Sequence, residues 1–275
     1  MRFDLLRAAR CLALAALTPL TGAACAHGSA VGPLPAGGHH VLFVGNSLTY
    51  VNDLPATVAA IATAAGDTFR VATAAGPNLA LIDHLNGATD AVAQIKRGGW
   101  EFVVLQQGPT TIGACRDSLV LWTKMFEPLI RAAGATPALF MTWPITGSQG
   151  TFDDVHTSFQ YAAGAVNGVF LPAGEAWRSA MRADNTIPLY GPDGFHPSPI
   201  GTYLAALEIY ERLSGRDVRT MPARAFVGSQ PLALPEATIR LLQNAAHAAN
   251  ANSPANPPAP PSGGPPPPPP PGGHC

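Results

Sequence analysis

Residues 41–50, VLFVGNSLTY, decide the fold class of this chain because they join an apolar strand to a polar turn. The apolar run from Val41 to Val44 ends at Gly45, which is typical of a buried strand in a parallel sheet. Asn46 and Ser47 follow directly. The carboxyl ends of parallel strands are where α/β proteins bind ligands and carry out chemistry. The stretch therefore predicts a serine displayed at one edge of a sheet.

The rest of the chain alternates short apolar runs with longer helix-like segments, which indicates βαβ units. The predicted strands are residues 40–45, 68–73, 101–106, 137–142 and 168–171. The predicted helices are residues 55–65, 79–97, 119–133, 153–166, 199–213 and 235–249. This order predicts an α/β protein, a three-layer α/β/α sandwich whose central parallel sheet has about five strands. We place one domain at residues 40–250.

Composition narrows the classes of function. The chain has 275 residues, of which 47% are hydrophobic, and this is enough for a sizeable core. Its formal net charge is -1, and without residues 1–26 it has 13 basic against 16 acidic residues, a charge of -3. A mildly acidic surface gives no electrostatic reason to expect nucleic acid as a partner.

Residues 1–26 have the features of a secretory signal peptide: three arginines, an apolar stretch from Cys11 to Leu20, and the small-residue end TGAACA. The apolar stretch is too short to span a bilayer. Cleavage after Ala26 predicts a secreted or periplasmic protein. Cleavage before Cys25 is the alternative, and it predicts a lipoprotein whose Cys25 carries a membrane anchor on the bacterial cell envelope. Residues 27–39 then form a short linker.

Residues 251–275 hold 12 of the 29 prolines and have no apolar period. They predict a disordered, Pro-rich tail of polyproline II character. The tail is either a dispensable end, a wall spacer or a ligand for a proline-binding partner. After export, Cys115 and Cys275 remain as a candidate disulfide pair.

Two further residues, Asp193 and His196, are candidates to activate the Ser47 hydroxyl. A serine hydroxyl is a weak nucleophile until a base removes its proton. The segment LYGPDGFHPSPIG, residues 189–201, places Asp193 and His196 three residues apart before a predicted helix. This spacing lets a carboxylate orient the imidazole. The alternative is an ordinary Asx turn with an incidental histidine.

Together, VLFVGNSLTY and PDGFHPS resemble the SGNH, or GDSL-like, hydrolase superfamily over residues 40–215. The resemblance implies a flavodoxin-like fold, a Ser47 nucleophile, a His196 base and Asp193 as its partner. It also implies that Gly76, in the block after the second strand, donates its N–H to an oxyanion together with the Ser47 N–H. The chain has Asn46 where the family usually has Asp.

The third family block departs from the pattern, since the usual Asn is absent from WEFVVLQQGPTT, residues 100–111. A glutamine amide is also a donor. We predict that Gln107 takes the place of the Asn, with Gln106 as the alternative, because strand alternation turns only one of them to the site. Two solvated strand-end amides are the other interpretation.

The combined pattern predicts a secreted serine esterase that forms an acyl-enzyme and needs neither a metal nor an organic cofactor. The substrate class implied by the resemblance is an O-acetylated sugar or polysaccharide. The alternatives are a short-chain ester, lipid or thioester hydrolase, and a non-catalytic glycan-binding module. Trp143, after the fourth predicted strand, either lines the substrate pocket or belongs to the edge of the core.

Overall fold

The computed structural model of the protein describes residues 37–110 and 113–261. The predicted signal peptide 1–26, most of the linker 27–39 and residues 262–275 of the tail lie outside these ranges.

A five-stranded parallel sheet forms the centre of the domain, as predicted. Its strands are β1 (His39–Gly45), β2 (Phe69–Ala75), β3 (Phe102–Leu105), β4 (Thr136–Phe140) and β5 (Val169–Leu171). They lie in the order β2-β1-β3-β4-β5, and every neighbouring pair is parallel. This is the flavodoxin-like order, whose chain direction switches between β1 and β3, and ligands bind at such a switch point.

The described residues form nine α-helices. They are α1 (Ser47–Tyr50), α2 (Leu54–Ala64), α3 (Leu81–Leu85), α4 (Ala91–Arg97), α5 (Gly113–Ala132), α6 (Phe152–Ala165), α7 (Ala173–Ala183), α8 (Pro199–Ser214) and α9 (Glu236–Asn252). Helices α2, α7, α8 and α9 pack together, and α4, α5 and α6 form a second group. A short antiparallel hairpin, β6 (Ala225–Val227) and β7 (Gln230–Leu232), packs on α2 and α8. None of the described helices is long and apolar enough to cross a membrane.

Strand β1 lies at the centre of the core. The side chains from Val41 to Val44 are all fully buried, as expected for a strand covered on both faces. The strand ends at Gly45, where a side chain would collide with Gln106 and Thr49. The apolar run therefore fixes the position of the turn that follows it.

The predicted helix 79–97 is wrong as one element. It is divided into α3 and α4, with a turn between them in which Gly87 has a φ of 90°. The sequence Asn86-Gly87 is a strong turn signal, because glycine adopts a positive φ without steric strain.

The predicted start of the Pro-rich tail at residue 251 is also wrong. Helix α9 continues to Asn252, and the next residues pack against the edge strand β5. The Phe170 N–H donates to the Ala255 carbonyl at 2.7 Å, and Asn256 donates to the Gly168 carbonyl at 3.2 Å. The segment supplies a hydrogen-bond partner to a strand that has no neighbour on that side.

At the N-terminal boundary of the domain, β1 begins at His39, inside the predicted linker 27–39.

Cys115 on α5 is disulfide-bonded. Cys275 lies outside the described residues, so its pairing with Cys115 stays a prediction.

Glu208 is a buried acid on α8, outside the predicted site. It is fully buried, and neither carboxylate oxygen has a hydrogen-bond partner among the described residues. Burial raises the pKa of Glu208 to about 8, although the positive charge of Arg212 acts in the opposite direction. A carboxyl group without partners is more easily buried when it is protonated.

Glu208 is expected to make the protein less stable as the pH rises from about 4.5 to about 8. In that window the unfolded carboxyl group is ionised while the folded one holds its proton, so folding must take up a proton. Each unit of pKa difference corresponds to about 1.4 kcal/mol. In urea denaturation, Glu208→Gln should match the wild type at pH 5 and exceed its free energy of unfolding at pH 8. Glu236→Gln, on the exposed start of α9, is the control, and an equal effect of Glu208→Gln at both pH values would contradict this account.

Candidate active site

Ser47 and His196 come from opposite ends of the domain and meet at the carboxyl edge of the sheet. Ser47 is the first residue of α1, directly after the Gly45-Asn46 turn that ends β1. His196 lies in the loop before α8, which begins at Pro199 behind the N-cap Ser198. The His196 Nε2 atom is 2.8 Å from the Ser47 Oγ atom, across 149 positions of sequence.

Asp193 holds the other side of the His196 ring. The distance between its Oδ2 atom and His196 Nδ1 is 2.5 Å. Its Oδ1 atom accepts the N–H groups of Phe195 at 3.0 Å and His196 at 2.9 Å. The Asx turn named as the alternative is therefore present, but the histidine is not incidental. The turn directs the second carboxylate oxygen of Asp193 to the imidazole.

These contacts fix the tautomer of His196. The hydrogen bond to His196, with those from the two backbone N–H groups, lowers the pKa of Asp193 to about 2, so the carboxylate is charged at neutral pH. A charged carboxylate only accepts hydrogen bonds, and Nδ1 must therefore carry the ring proton. Nε2 is left with its lone pair directed to the Ser47 hydroxyl, which is the arrangement required of a general base.

The turn that carries Ser47 is held by two amide side chains. Asn46 caps α1 by accepting the Leu48 N–H at 3.1 Å, and its Nδ2 atom donates to the Leu79 carbonyl at 3.1 Å. Gln106 accepts the Asn46 N–H and the Thr49 hydroxyl, both at 2.8 Å. An aspartate at position 46 would keep the cap but lose the donor to Leu79. Asn46, which replaces the usual Asp of the family, therefore links the Ser47 turn to the loop after β2.

Gln107 contacts a different element. Its Oε1 atom accepts the Leu81 N–H at the start of α3 at 3.2 Å. Both glutamines are buried, so the interpretation as solvated strand-end amides is wrong. Within the described part of the chain, the Nε2 atoms of both glutamines are buried and have no partner. A buried donor without a partner is unfavourable by about 1–3 kcal/mol. Such donors suit a site whose acceptor arrives with the substrate.

Gly76 lies where the sequence predicts it, directly after β2, but its N–H is already paired. It donates to the Gly45 carbonyl at 3.3 Å. A side chain at position 76 would collide with Leu79. An oxyanion would have to compete with Gly45 for this N–H, so the contribution of Gly76 to an oxyanion hole stays a prediction.

Trp143 does not line a pocket, because its side chain is fully buried. It stacks on Trp177 with ring centroids 3.6 Å apart and ring planes 6° apart. Its Nε1–H donates to the Phe195 carbonyl at 3.1 Å, and Trp177 donates to the Gly201 carbonyl at 3.2 Å. The Trp143 indole therefore supports the loop that presents His196. The sequence gives no signal for this contact, which spans 52 positions.

Trp143→Phe is expected to lower kcat by about tenfold with little change in KM, since small misplacements of a reacting group have large effects on rate. The variant keeps an aromatic ring against Trp177 but leaves the Phe195 carbonyl without its donor. Trp177→Phe is the matched control, because it removes an equivalent indole donor that does not contact the residue before His196. Equal kcat values for both variants would contradict a specific role of Trp143.

One cluster of described side chains has the composition of a metal site, namely Glu211, Asp217 and His247. Its members already pair with protein groups: His247 with Glu211 at 2.8 Å, and Asp217 with Arg219 at 2.6 Å. The cluster lies at the C-terminal end of α8, which contains Glu211, whereas His196 precedes the N-terminus of α8. We therefore assign it no part in the chemistry at Ser47.

Comparison with known proteins places these contacts in a wider context. No family model and no curated protein matches the chain. A candidate SGNH hydrolase from Slackia heliotrinireducens is 28% identical, with a TM-score of 0.54 over 64% of this chain and 98% of that one. A DUF4886 family protein from Bacteroides uniformis is 17% identical, with a TM-score of 0.63 over 78% and 95%. An acetylxylan esterase from Geobacillus stearothermophilus is 16% identical, with a TM-score of 0.51 over 66% and 96%. The last two likenesses concern the fold.

Proposed function

We propose that the chain, which is 28% identical to a candidate SGNH hydrolase and similar to it in fold, is a secreted serine esterase of that superfamily that deacetylates a sugar or polysaccharide. The observation that carries the proposal is the chain of contacts from Asp193 through His196 to Ser47. A binding module has no need of a base aimed at a serine hydroxyl, and this favours catalysis over the non-catalytic alternative.

In the proposed reaction Ser47 Oγ attacks the ester carbonyl while His196 Nε2 takes its proton. The Asp193 carboxylate stabilises the imidazolium that forms. His196 then gives the proton to the leaving alcohol oxygen as the ester C–O bond breaks, and an acyl-enzyme remains on Ser47. Water, deprotonated by His196, attacks the acyl-enzyme, and the proton returns to Ser47 as acetate leaves.

The oxyanion of the tetrahedral intermediate needs donors that are in place before the reaction. Ser47 opens α1, and N–H groups in the first turn of a helix have no partner within the helix. We assign the side-chain donor to Gln107. Gln107 follows β3 and accepts the N–H of Leu81, which lies beyond the end of β2. Because β1 lies between β2 and β3, the Gln107 amide extends across the end of β1. Gln106 is then a positioning residue, because its carbonyl holds the Asn46 N–H.

Gln107→Ala is expected to lower kcat by 10²- to 10³-fold with a small effect on KM, as for the loss of one oxyanion donor elsewhere. Gln106→Ala should mainly lower the free energy of unfolding, because it leaves the Asn46 N–H without a partner. Steady-state kinetics and urea denaturation of both variants separate these roles. A larger loss of kcat for Gln106→Ala would transfer the oxyanion role to Gln106.

The substrate class rests on the export pattern of residues 1–26 and on the resemblance to carbohydrate acetyl esterases. The test is hydrolysis of p-nitrophenyl acetate, butyrate and octanoate and of acetylated xylan by residues 27–275. This range retains the residues that pack on β5. A kcat/KM at least tenfold higher for acetate than for octanoate, with acetate release from xylan, supports the proposal. Preference for octanoate with interfacial activation supports the lipid hydrolase instead.

Secretion is tested separately by the mass of the mature protein from an expressing bacterium. An N-terminus at His27 supports export by cleavage after Ala26. A diacylglyceryl group on an N-terminal Cys25 supports the lipoprotein alternative. Retention of Met1 in the cytoplasm contradicts both.

A further inference from the structure

A cleft of about 530 Å³ opens beside His196 and has no part in the mechanism described so far. It lies between the end of α1 and the loop that precedes α8. Its walls include Val51, Asn52, Tyr190, Pro192, His196 and Pro199.

The cleft lies next to the reacting pair, on the histidine side. The Val51 N–H donates to the Ser47 carbonyl, so Val51 is one helical turn after the serine. Asn52 closes the gap between the two walls, since its Nδ2 atom donates to the Pro197 carbonyl at 2.9 Å and to the Thr202 hydroxyl at 3.0 Å. His196 and Asp193 line the cleft, whereas Ser47 does not.

The position of the cleft relative to Ser47 and His196 indicates which half of an ester it would bind. The acyl carbon bonds to Ser47, and its oxygen faces the oxyanion donors. The alcohol oxygen receives its proton from His196 Nε2 and departs on the side of the imidazole. A space that contacts His196 and not Ser47 is therefore placed for the alcohol half.

The chemistry of the walls indicates which alcohol fits. None of the described residues that line the cleft is a lysine or an arginine. The Asp193 carboxylate lies in the wall, and Asp53, next to Asn52, is exposed. An anionic alcohol would approach these carboxylates with no lysine or arginine in the described wall to pair with, and the transient His196 imidazolium is already paired with Asp193, which is unfavourable for the anion. Proline rings and the Tyr190 ring offer flat apolar faces, and the Tyr190 hydroxyl already donates to the Pro144 carbonyl at 2.7 Å.

We propose that this cleft binds the alcohol half of the substrate and selects an uncharged, ring-sized alcohol such as a neutral sugar residue. The proposal rests on the proposed esterase function and adds to it the site and the charge of the leaving group. Within the thioester alternative from the sequence, it also disfavours thioesters whose thiol half is anionic.

The test compares three acetyl esters: methyl acetate, a mono-O-acetyl methyl glucoside and a mono-O-acetyl glucuronate of the same ring size. The wild type should have a kcat/KM at least tenfold higher on the glucoside than on the glucuronate. Val51→Trp, which fills the cleft, should lower the ratio of glucoside to methyl acetate kcat/KM at least tenfold. Met125→Trp, at an exposed position of α5, is the control and should leave that ratio unchanged.

A second variant keeps the proposal testable if Val51→Trp does not fold. Val51→Lys adds a cation to the wall and should raise the ratio of glucuronate to glucoside kcat/KM by about tenfold. Equal ratios for wild type and both Val51 variants would overturn the proposal while the esterase function stands. Absence of methyl acetate hydrolysis by the wild type would instead overturn the proposed function.

Discussion

Ser47→Ala is expected to lower kcat for ester hydrolysis by about 10⁴-fold or more, to a residual rate that His196→Ala shares. Both variants remove a partner of the 2.8 Å contact on which the attack depends. The double variant should be no slower than either single one, because residues that act as a unit have non-additive effects. Steady-state kinetics on p-nitrophenyl acetate measures all three.

Ser179→Ala, on the outer helix α7, is the control for loss of a serine hydroxyl and should keep the wild-type kcat. Because Ser47 and His196 are not part of the hydrophobic core, urea midpoints of the variants should stay close to that of the wild type. A Ser47→Ala protein that is folded and still retains a tenth of the activity would contradict a nucleophilic role.

Asp193→Asn is expected to lower kcat by about 10⁴-fold, as for the same change in a serine protease. The amide oxygen can still accept the N–H groups of Phe195 and His196, so the turn is kept. The amide nitrogen, however, donates to His196 Nδ1 and forces the ring proton onto Nε2. That nitrogen then has no lone pair for the Ser47 proton.

The pKa of Asp193, lowered to about 2, sets the pH dependence of this effect. The wild-type carboxylate is ionised at every pH above about 3, so titration of Asp193 itself should add no change to the deficit of Asp193→Asn between pH 5 and pH 9. Kinetics of both proteins across that range measures it. Asp184→Asn, in the exposed turn after α7, is the matched control. A deficit of less than tenfold would show that Asp193 does not orient the base.

The parts of the structure that depend on local pattern could be predicted from the sequence. Strand β1 is a continuous apolar run that ends at a glycine, and the run alone places Ser47 at the sheet edge. Asp193 and His196 are three residues apart, so their contact is local. The meeting of His196 with Ser47 was implied only by the resemblance to the SGNH superfamily, because the His196 loop follows helix α7 and not a strand of the sheet.

Contacts between distant segments could not be predicted in the same way. Three such contacts depend on the tertiary fold. Trp143 supports the His196 loop, Gln106 and Gln107 bond to different elements, and residues 253–258 pack on β5. Helix α7 was missed although its buried positions, Ala173, Ala176, Trp177 and Ala180, follow the helical period. The helix begins two residues after the three-residue strand β5, so the strand and helix patterns adjoin in the sequence.

In the proposed mechanism, His196 makes the Ser47 hydroxyl a nucleophile. The most direct test is reaction of the purified protein with an alkyl fluorophosphonate, followed by mass spectrometry of the peptides. We expect one phosphonate adduct, on Ser47, that forms rapidly in the wild type and at background rate in His196→Ala. An unmodified Ser47 in folded wild-type protein, or an adduct that forms equally fast without His196, would contradict it.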